Sequence, residues 1–182
     1  MKLVFASDIH GSACDAQRIK DIFIKENGDK LILCGDLLYH GPRNDLPKDY
    51  SPKKVIEILN SVSDDIIAVR GNCDSEVDQM VLDFPVTADY TLIYVDDIRI
   101  YVTHGHIYNI QKPMKLKQDD VLVCGHTHIL KAEHCNNFYH INPGSAALPK
   151  EGNPKTYMVY ENRCFTIKKL EDDSILNTIN VW

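Results

Sequence analysis

The sequence predicts an α/β protein in which two strand-rich layers pack together with helices outside, and three observations carry that prediction. The first half alternates short apolar runs with amphipathic helical stretches, while from Tyr90 onward the pattern changes to hairpins. Five pieces rich in acidic, amide and imidazole side chains each follow directly on an apolar run. Strand and helix in alternation build a parallel sheet, hairpins build antiparallel pairs, and both must bury an apolar face. A chain of 182 residues favours one domain with a sizeable core, here taken as 1–182.

In chain order, Leu3–Ala6 is the first apolar run. Ser12 can then cap a helix reaching to about Asn27, with Ile19, Ile22 and Phe23 on one face and Gly28 as its stop. Residues 31–34 form a second buried run, and the polar stretch 39–49, containing His40, Gly41, Pro42 and Arg43, reads as a loop over a site. Ser51-Pro52 opens a second helix through Val55, Ile56 and Leu59. Residues 66–69 make a third run. Tyr90–Val95 and Ile98–Thr103 flank the turn signal Asp96-Asp97, and 130–135 and Phe138–Asn142 flank Asn136-Asn137. Between these hairpins lies the run Val121–Cys124, and 157–160 with 164–170 looks like a last hairpin. There is no internal repeat and no low-complexity segment.

The five polar pieces are Asp8-x-His10, Gly35-Asp36, Gly71-Asn72, His104 and Gly125-His126-x-His128. Each alone has a plain structural reading: Asp8 as a cap or turn residue, Gly35-Asp36 as a tight turn, Gly71-Asn72 as a backbone site needing positive φ. Together they offer two aspartates, one asparagine and four histidines at the carboxyl ends of strands, where open α/β sheets place their sites. Carboxylates and imidazoles bind borderline to hard divalent cations, and one Asp can lend an oxygen to each of two ions while easing their repulsion. An asparagine carbonyl binds without adding charge. Partners two residues apart, as in Asp8/His10 and His126/His128, can converge on one ion at a strand-to-loop junction.

Composition narrows the partners. A net charge of −6 with no basic stripe argues against strong nucleic-acid binding, which relies on clustered Lys and Arg. The N-terminal apolar run is too short for a signal peptide or a membrane span, so a cytoplasmic protein is expected. The six cysteines, from Cys14 to Cys164, form no Cys-x-x-Cys pair. Cys34 and Cys124 sit inside apolar runs and read as small buried hydrophobes. Cys73, beside Asn72, alone has a functional address, and His134 and His140, in a hairpin away from the motifs, are assigned no site role.

These motifs resemble those of the calcineurin-like metallophosphoesterases, over nearly the whole chain. Within that superfamily, Gly35-Asp36 through Gly41-Pro42-Arg43-Asn44, Arg70-Gly71-Asn72-Cys73-Asp74, Thr103-His104-Gly105-His106 and Asn142-Pro143-Gly144-Ser145 are similar to the small bacterial YfcE-type phosphodiesterases. The resemblance implies a four-layer α/β/β/α sandwich of two mixed sheets with outer helices. It also implies two divalent metal ions, manganese first, with iron, zinc, cobalt or nickel as other candidates, and hydrolysis of a small phosphodiester substrate. Position by position it gives one ion Asp8, His10, Asp36 and His128 and the other Asp36, Asn72, His104 and His126, with Asp36 as the bridge. The implied reaction is direct in-line attack by a hydroxide held at the dinuclear centre, whose metals bring the pKa of water towards about 7.

Departures from the broader superfamily pattern bear on the substrate. Phosphomonoesterase members carry Gly-Asp-x-x-Asp-Arg-Gly and Gly-Asn-His, whereas this chain has Tyr39, His40 and Cys73 at the three variable positions. A monoester dianion asks for more positive clamping than a diester monoanion, so the exchange tilts the expectation towards diesters or activated esters, with Arg43 able to compensate. His106 and His40 are the candidate proton donors to the leaving oxygen, because imidazole titrates nearest neutrality. Asn142-Pro143-Gly144-Ser145 is a candidate support for the site. The alternatives are a phosphomonoesterase or short-oligonucleotide nuclease of the same fold, or a non-catalytic scaffold related to the retromer subunit. A homo-oligomer is compatible with the sequence.

Overall fold

The structure, a computed structural model, describes residues 1–182. Eleven strands form two mixed sheets: β1 Leu3–Ala6, β2 Lys30–Leu33, β3 Ile66–Ala68, β4 Tyr90–Val95, β5 Ile98–Thr103, β6 Val121–Cys124, β7 Lys131–Cys135, β8 Phe138–Asn142, β9 Thr156–Glu161, β10 Cys164–Lys169 and β11 Ile175–Asn180. The six-stranded sheet runs β11-β10-β9-β1-β2-β3 and the five-stranded sheet β4-β5-β6-β8-β7. In the first, β1, β2 and β3 are parallel while β9 joins β1 antiparallel. In the second, β5, β6 and β8 are parallel and β4 and β7 close the edges as antiparallel hairpin partners.

Alternation along β1 and β2 explains how the layers stack. Val4, Ala6, Leu31 and Leu33 face helices α1 (Ala13–Lys25) and α2 (Pro52–Asn60) in one core of 23 buried residues. Leu3, Phe5, Ile32 and Cys34 face the other way into an inter-sheet core of 18, with Ile100, Val102, Val121, Val123 and Ile141 opposite. Strands buried on both faces lose the polar alternation of surface strands and read as continuous apolar runs. This is the predicted architecture of two mixed sheets with helices outside. On the far face of the five-stranded sheet, the β5–β6 crossover, residues 104–120, contains no regular helix.

Local signals mostly act as expected, with instructive exceptions. α1 ends at Lys25, two residues short of the expected limit, because Asn27 already takes a left-handed conformation (φ 51°) and the Gly28 amide bonds back to the Phe23 carbonyl at 3.1 Å. Ser12 stands at the N-cap without bonding a helix amide; its hydroxyl lies 2.5 Å from Asp15 Oδ2. Asp96 and Asp97 both have positive φ, the geometry a two-residue hairpin requires. The short helix α3 (Glu76–Gln79) and the edge strand β11 have no counterpart in the sequence reading. All six cysteines are free thiols, and no helix is long and apolar enough to cross a membrane.

Candidate metal centre

The site lies where the carboxyl ends of β1, β2, β3, β5 and β6 meet. Asp8, His10, Asp36, His126 and His128 all have left-handed backbone, φ between 49° and 67°. Non-glycine residues enter that region at a cost, typically where surrounding structure over-determines them. The left-handed bends turn what would be straight strand continuations into loops. Two glycines permit the close approach: a Cβ on Gly71 would collide with Asp36 Oδ1 and one on Gly125 with Ser7 Oγ.

Two ligand groups share Asp36. In one, His128 Nε2 lies 3.2 Å and His10 Nε2 3.7 Å from Asp8 Oδ1, and His10 Nε2 is also 3.7 Å from Asp36 Oδ2. In the other, His104 Nε2 is 3.3 Å from Asp36 Oδ2 and 3.1 Å from Asn72 Oδ1. The His126 ring lies 5.0 Å from that of His104, centroid to centroid, and its backbone N–H donates to Asp8 Oδ2 at 3.1 Å. All seven expected ligands therefore come together.

The neighbouring groups prepare the donors. His10 Nδ1 donates to the Tyr39 carbonyl at 2.8 Å, His104 Nδ1 to the Cys34 carbonyl at 2.7 Å, and His128 Nδ1 to the Leu148 carbonyl. Each bond leaves an Nε2 lone pair aimed inward, as ligating imidazoles require. Ser7 Oγ donates to Asp8 Oδ2, and Ser145 Oγ to the Asp8 carbonyl at 2.9 Å. Asn142 Nδ2 bonds the Gly125 carbonyl at 2.8 Å and Thr127 Oγ1 at 3.1 Å, so the 142–145 turn supports both Asp8 and the His126-x-His128 loop.

The buried donor set fits divalent cations. Asp8 Oδ1 is buried with no hydrogen-bond partner, and the Nε2 atoms of His10 and His128 face each other at 3.3 Å. Buried polar atoms are costly without partners. A cation bound among them would satisfy all three. Without one, burial opposes charge on His104, yet Asp36 and Asp8 push its imidazolium up to about 9. Burial likewise opposes ionisation of Asp8, but His10, His128 and His104 hold its carboxyl well below the ordinary carboxylate range.

One organising residue, Asp74, closes the Arg70-Gly71-Asn72-Cys73-Asp74 stretch but has no role of its own in the sequence reading. Buried Asp74 accepts the amides of Asp36 (2.8 Å), Leu37 (2.8 Å) and Gly71 (2.7 Å), tying the Asp36 turn to the Asn72 turn. Burial and the Asp36 charge push its carboxyl up to about 6 despite those three donors. An amide in its place must turn an NH2 group towards at least one N–H. Asp74→Asn is therefore expected to cost about 2 kcal/mol of stability and to weaken metal retention by roughly ten- to a hundredfold, read by denaturant unfolding and metal titration. Unchanged metal retention would remove Asp74 from the site's framework.

A cleft of about 390 Å³ opens over the ligands, lined in part by Arg43, Asn44, Cys73, Thr127 and Lys150. Arg43 was expected there; Lys150, twenty-two residues beyond His128 and outside every motif, was not. His106 stands beside the second ligand group, its ring 5.4 Å from His104 and 6.3 Å from His126, with Nδ1 buried and unpartnered. His40 lies outside the cleft lining, its ring stacked edgewise against Tyr39 (4.7 Å) and Tyr50 (5.3 Å).

Cys73 sits within reach of His10 and Asp36. Its amide donates to Asp36 Oδ1 at 2.8 Å, and burial with the Asp36 charge pushes the thiol up to about 12. With Asp36 uncompensated by a cation, this favours the neutral thiol beside Asn72. Cys73→Ser should leave diester turnover within a few fold and metal content unchanged; a large loss of bound metal would make the sulfur a ligand.

A calcineurin-like phosphoesterase superfamily domain matches residues 1–163, and the chain belongs to that superfamily. It is a metallophosphoesterase by sequence and by fold. Among curated proteins it is 46% identical to phosphodiesterase YfcE of Escherichia coli, over all of this chain and 98% of that protein. The solved structure of that E. coli phosphoesterase superposes with a TM-score of 0.98, both chains being covered in full. Phosphodiesterase MJ0936 of Methanocaldococcus jannaschii is 27% identical, over 79% of this chain and 83% of its own. Zinc-bound Vps29 of Entamoeba histolytica, at 19% identity and a TM-score of 0.66 over 99% of each chain, shares the fold.

Proposed function

We propose that the protein is a cytoplasmic, single-domain metal-dependent phosphodiesterase whose centre holds two divalent ions, manganese first, on Asp8, His10, Asp36, Asn72, His104, His126 and His128. The observation that carries this reading is the partnerless Asp8 Oδ1 among the inward-facing Nε2 atoms of His10 and His128. Two such ions, when bound, polarise the phosphoryl group and make hydroxide available at neutral pH for direct displacement. Asp36, facing both ligand groups, is the bridge between them. Arg43 and Lys150 line the cleft and supply positive charge to orient an anionic ester. His106, beside His104 and His126, is the nearest free imidazole able to hold a proton for the leaving oxygen. The preference for diesters draws support from the likeness to the E. coli phosphodiesterase.

Elemental analysis of the purified protein, coupled to a phosphoester screen with manganese, iron, zinc, cobalt or nickel restored to the metal-free form, tests the proposal. Expected are two ions per chain at the seven-residue centre and metal-dependent cleavage of small phosphodiesters. A metal-loaded protein that cleaves no phosphoester would sink the proposal and point to a scaffold of the same fold.

A further inference from the structure

A second group of metal-capable side chains lies outside the centre, on the β7–β8 hairpin. Strand register sets Glu133 opposite His140 and Cys135 opposite Phe138. Glu133 and Cys135 are two apart and so share a face of the sheet, and His140 joins them from the neighbouring strand. One ligand atom from each of the three lies within 4.8 Å of the other two. His134, between them in sequence, points to the other face, where its ring stacks on Tyr139 at 4.6 Å.

The His140 ring is set up for metal on one side. Its Nε2 is 3.2 Å from Cys124 Sγ on the adjacent β6, and its Nδ1 is 3.3 Å from Glu133 Oε1. In the metal-free protein Nδ1–H donates to Glu133 Oε1; a cation there would displace that proton, and the tautomer with Nε2–H held by the Cys124 sulfur then directs the Nδ1 lone pair at Glu133 and Cys135. Lys131 Nζ engages Glu133 through the other oxygen, Oε2, at 3.2 Å, so Oε1 faces His140 Nδ1. His140 is buried while Glu133 and Cys135 are half-buried. The cluster therefore opens to solvent, and water can complete a tetrahedron. Glu133 and His140 border a hollow of about 420 Å³ that also touches Asn109, Ile110 and Asn142.

We propose that Glu133, Cys135 and His140 form a third, non-catalytic site for a thiophilic divalent cation of the zinc class, with water as fourth ligand. A sulfur, a nitrogen and an oxygen donor in tetrahedral array suit zinc, with neighbouring donor atoms about 3.3–3.6 Å apart. The Glu133–His140 separation already meets that spacing, and the Cys135 thiol has at most about 1 Å to close. Binding releases the thiol proton to solvent as the sulfur becomes a thiolate. The seven-ligand centre contains no sulfur, but Cys73 lies within reach of His10 and Asp36, so thiolate ligation marks the hairpin site once Cys73 is replaced.

The test uses the full chain with its catalytic centre first filled with manganese and then titrated with cobalt(II), followed by the thiolate-to-cobalt charge-transfer absorption. One sulfur-ligated ion per chain is expected in the unmodified protein and in Cys73→Ser. Cys135→Ser and Glu133→Gln should lower the affinity of that ion at least tenfold, while metal-dependent phosphodiester cleavage stays within twofold. Absence of the band in the unmodified protein, or its persistence at full intensity in Cys135→Ser, overturns the proposal. Loss of the band in Cys73→Ser also overturns it, by moving the sulfur to the catalytic cleft. Retained phosphodiester cleavage beside an absent band would reject this site alone and leave the proposed activity standing.

Discussion

Asp36→Asn should lower turnover by more than about a thousandfold, equivalent to roughly 4 kcal/mol of transition-state stabilisation, and should leave the protein short of metal. Asp36 Oδ2 is 3.7 Å from His10 Nε2 in one ligand group and 3.3 Å from His104 Nε2 in the other. No other side chain faces imidazoles of both groups within that range through one oxygen. Its Oδ1 is committed to the Cys73 amide, and the Gly71 backbone closes that side. An amide has the same shape but one neutral acceptor oxygen, so it can neither bridge two cations nor offset their repulsion. His134→Ala, on the exposed side of β7 with its side chain 42% accessible, is the matched control and should change neither metal content nor rate. Elemental analysis and steady-state kinetics on both variants decide the matter. Two bound ions and near-normal activity in Asp36→Asn would overturn the bridging assignment.

The parts of the molecule legible in the sequence are those whose signal is local. Leu3–Ala6, Tyr90–Val95, Val121–Cys124 and Phe138–Asn142 are continuous or alternating apolar runs ended by turn residues, and their limits in the structure are those expected. β11 could not be read in the same way. It is an edge strand whose Ile175 and Leu176 are exposed, with Ile179 packing on the inter-sheet core, so its polar and apolar residues follow no clear period of two. α3 is a single turn held by the reciprocal Ser75/Asp78 capping box, too short for periodicity to register. The seven proposed ligands stand out in the sequence because each motif follows an apolar run. The left-handed conformations of five of them were not legible, because a positive φ at Asp8 or His128 is imposed by the neighbours that receive it rather than by the residue's own preference. The role of Asp74, and the presence of Lys150 at the site, were hidden for the same reason: one gathers amides from two distant turns, and the other reaches the cleft from the loop beyond β8. Likewise His140 was set aside as a hairpin residue, and only the pairing of β6, β7 and β8 brings Cys124, Glu133 and Cys135 around it.

With manganese supplied, an activated aryl phosphodiester should be hydrolysed with at least about tenfold higher kcat/KM than the matching monoester, a difference of roughly 1.4 kcal/mol in transition-state stabilisation. Charge is the first reason. Tyr39 and His40 stand where monoesterase-type relatives of the fold have Asp and Arg, and the His40 ring stacks edgewise on Tyr39 and Tyr50 and does not line the cleft. Arg43 and Lys150 remain as the cleft's cationic side chains besides its imidazoles, enough for the single charge of a diester but sparse for a monoester dianion. Proton supply is the second reason. The neighbour of Asn72 is Cys73, whose thiol is pushed up to about 12 by burial and Asp36, so it is a poor donor to a basic leaving oxygen. An aryl oxide needs little such help. Replacing both positions together, His40→Arg with Cys73→His, returns a long cation to the loop and an imidazole to the cleft wall, and should narrow the preference while both metals stay bound. Equal or higher efficiency on the monoester in the unmodified protein would overturn the charge argument, because it would mean that Arg43 and Lys150 already neutralise a dianion without help from position 40.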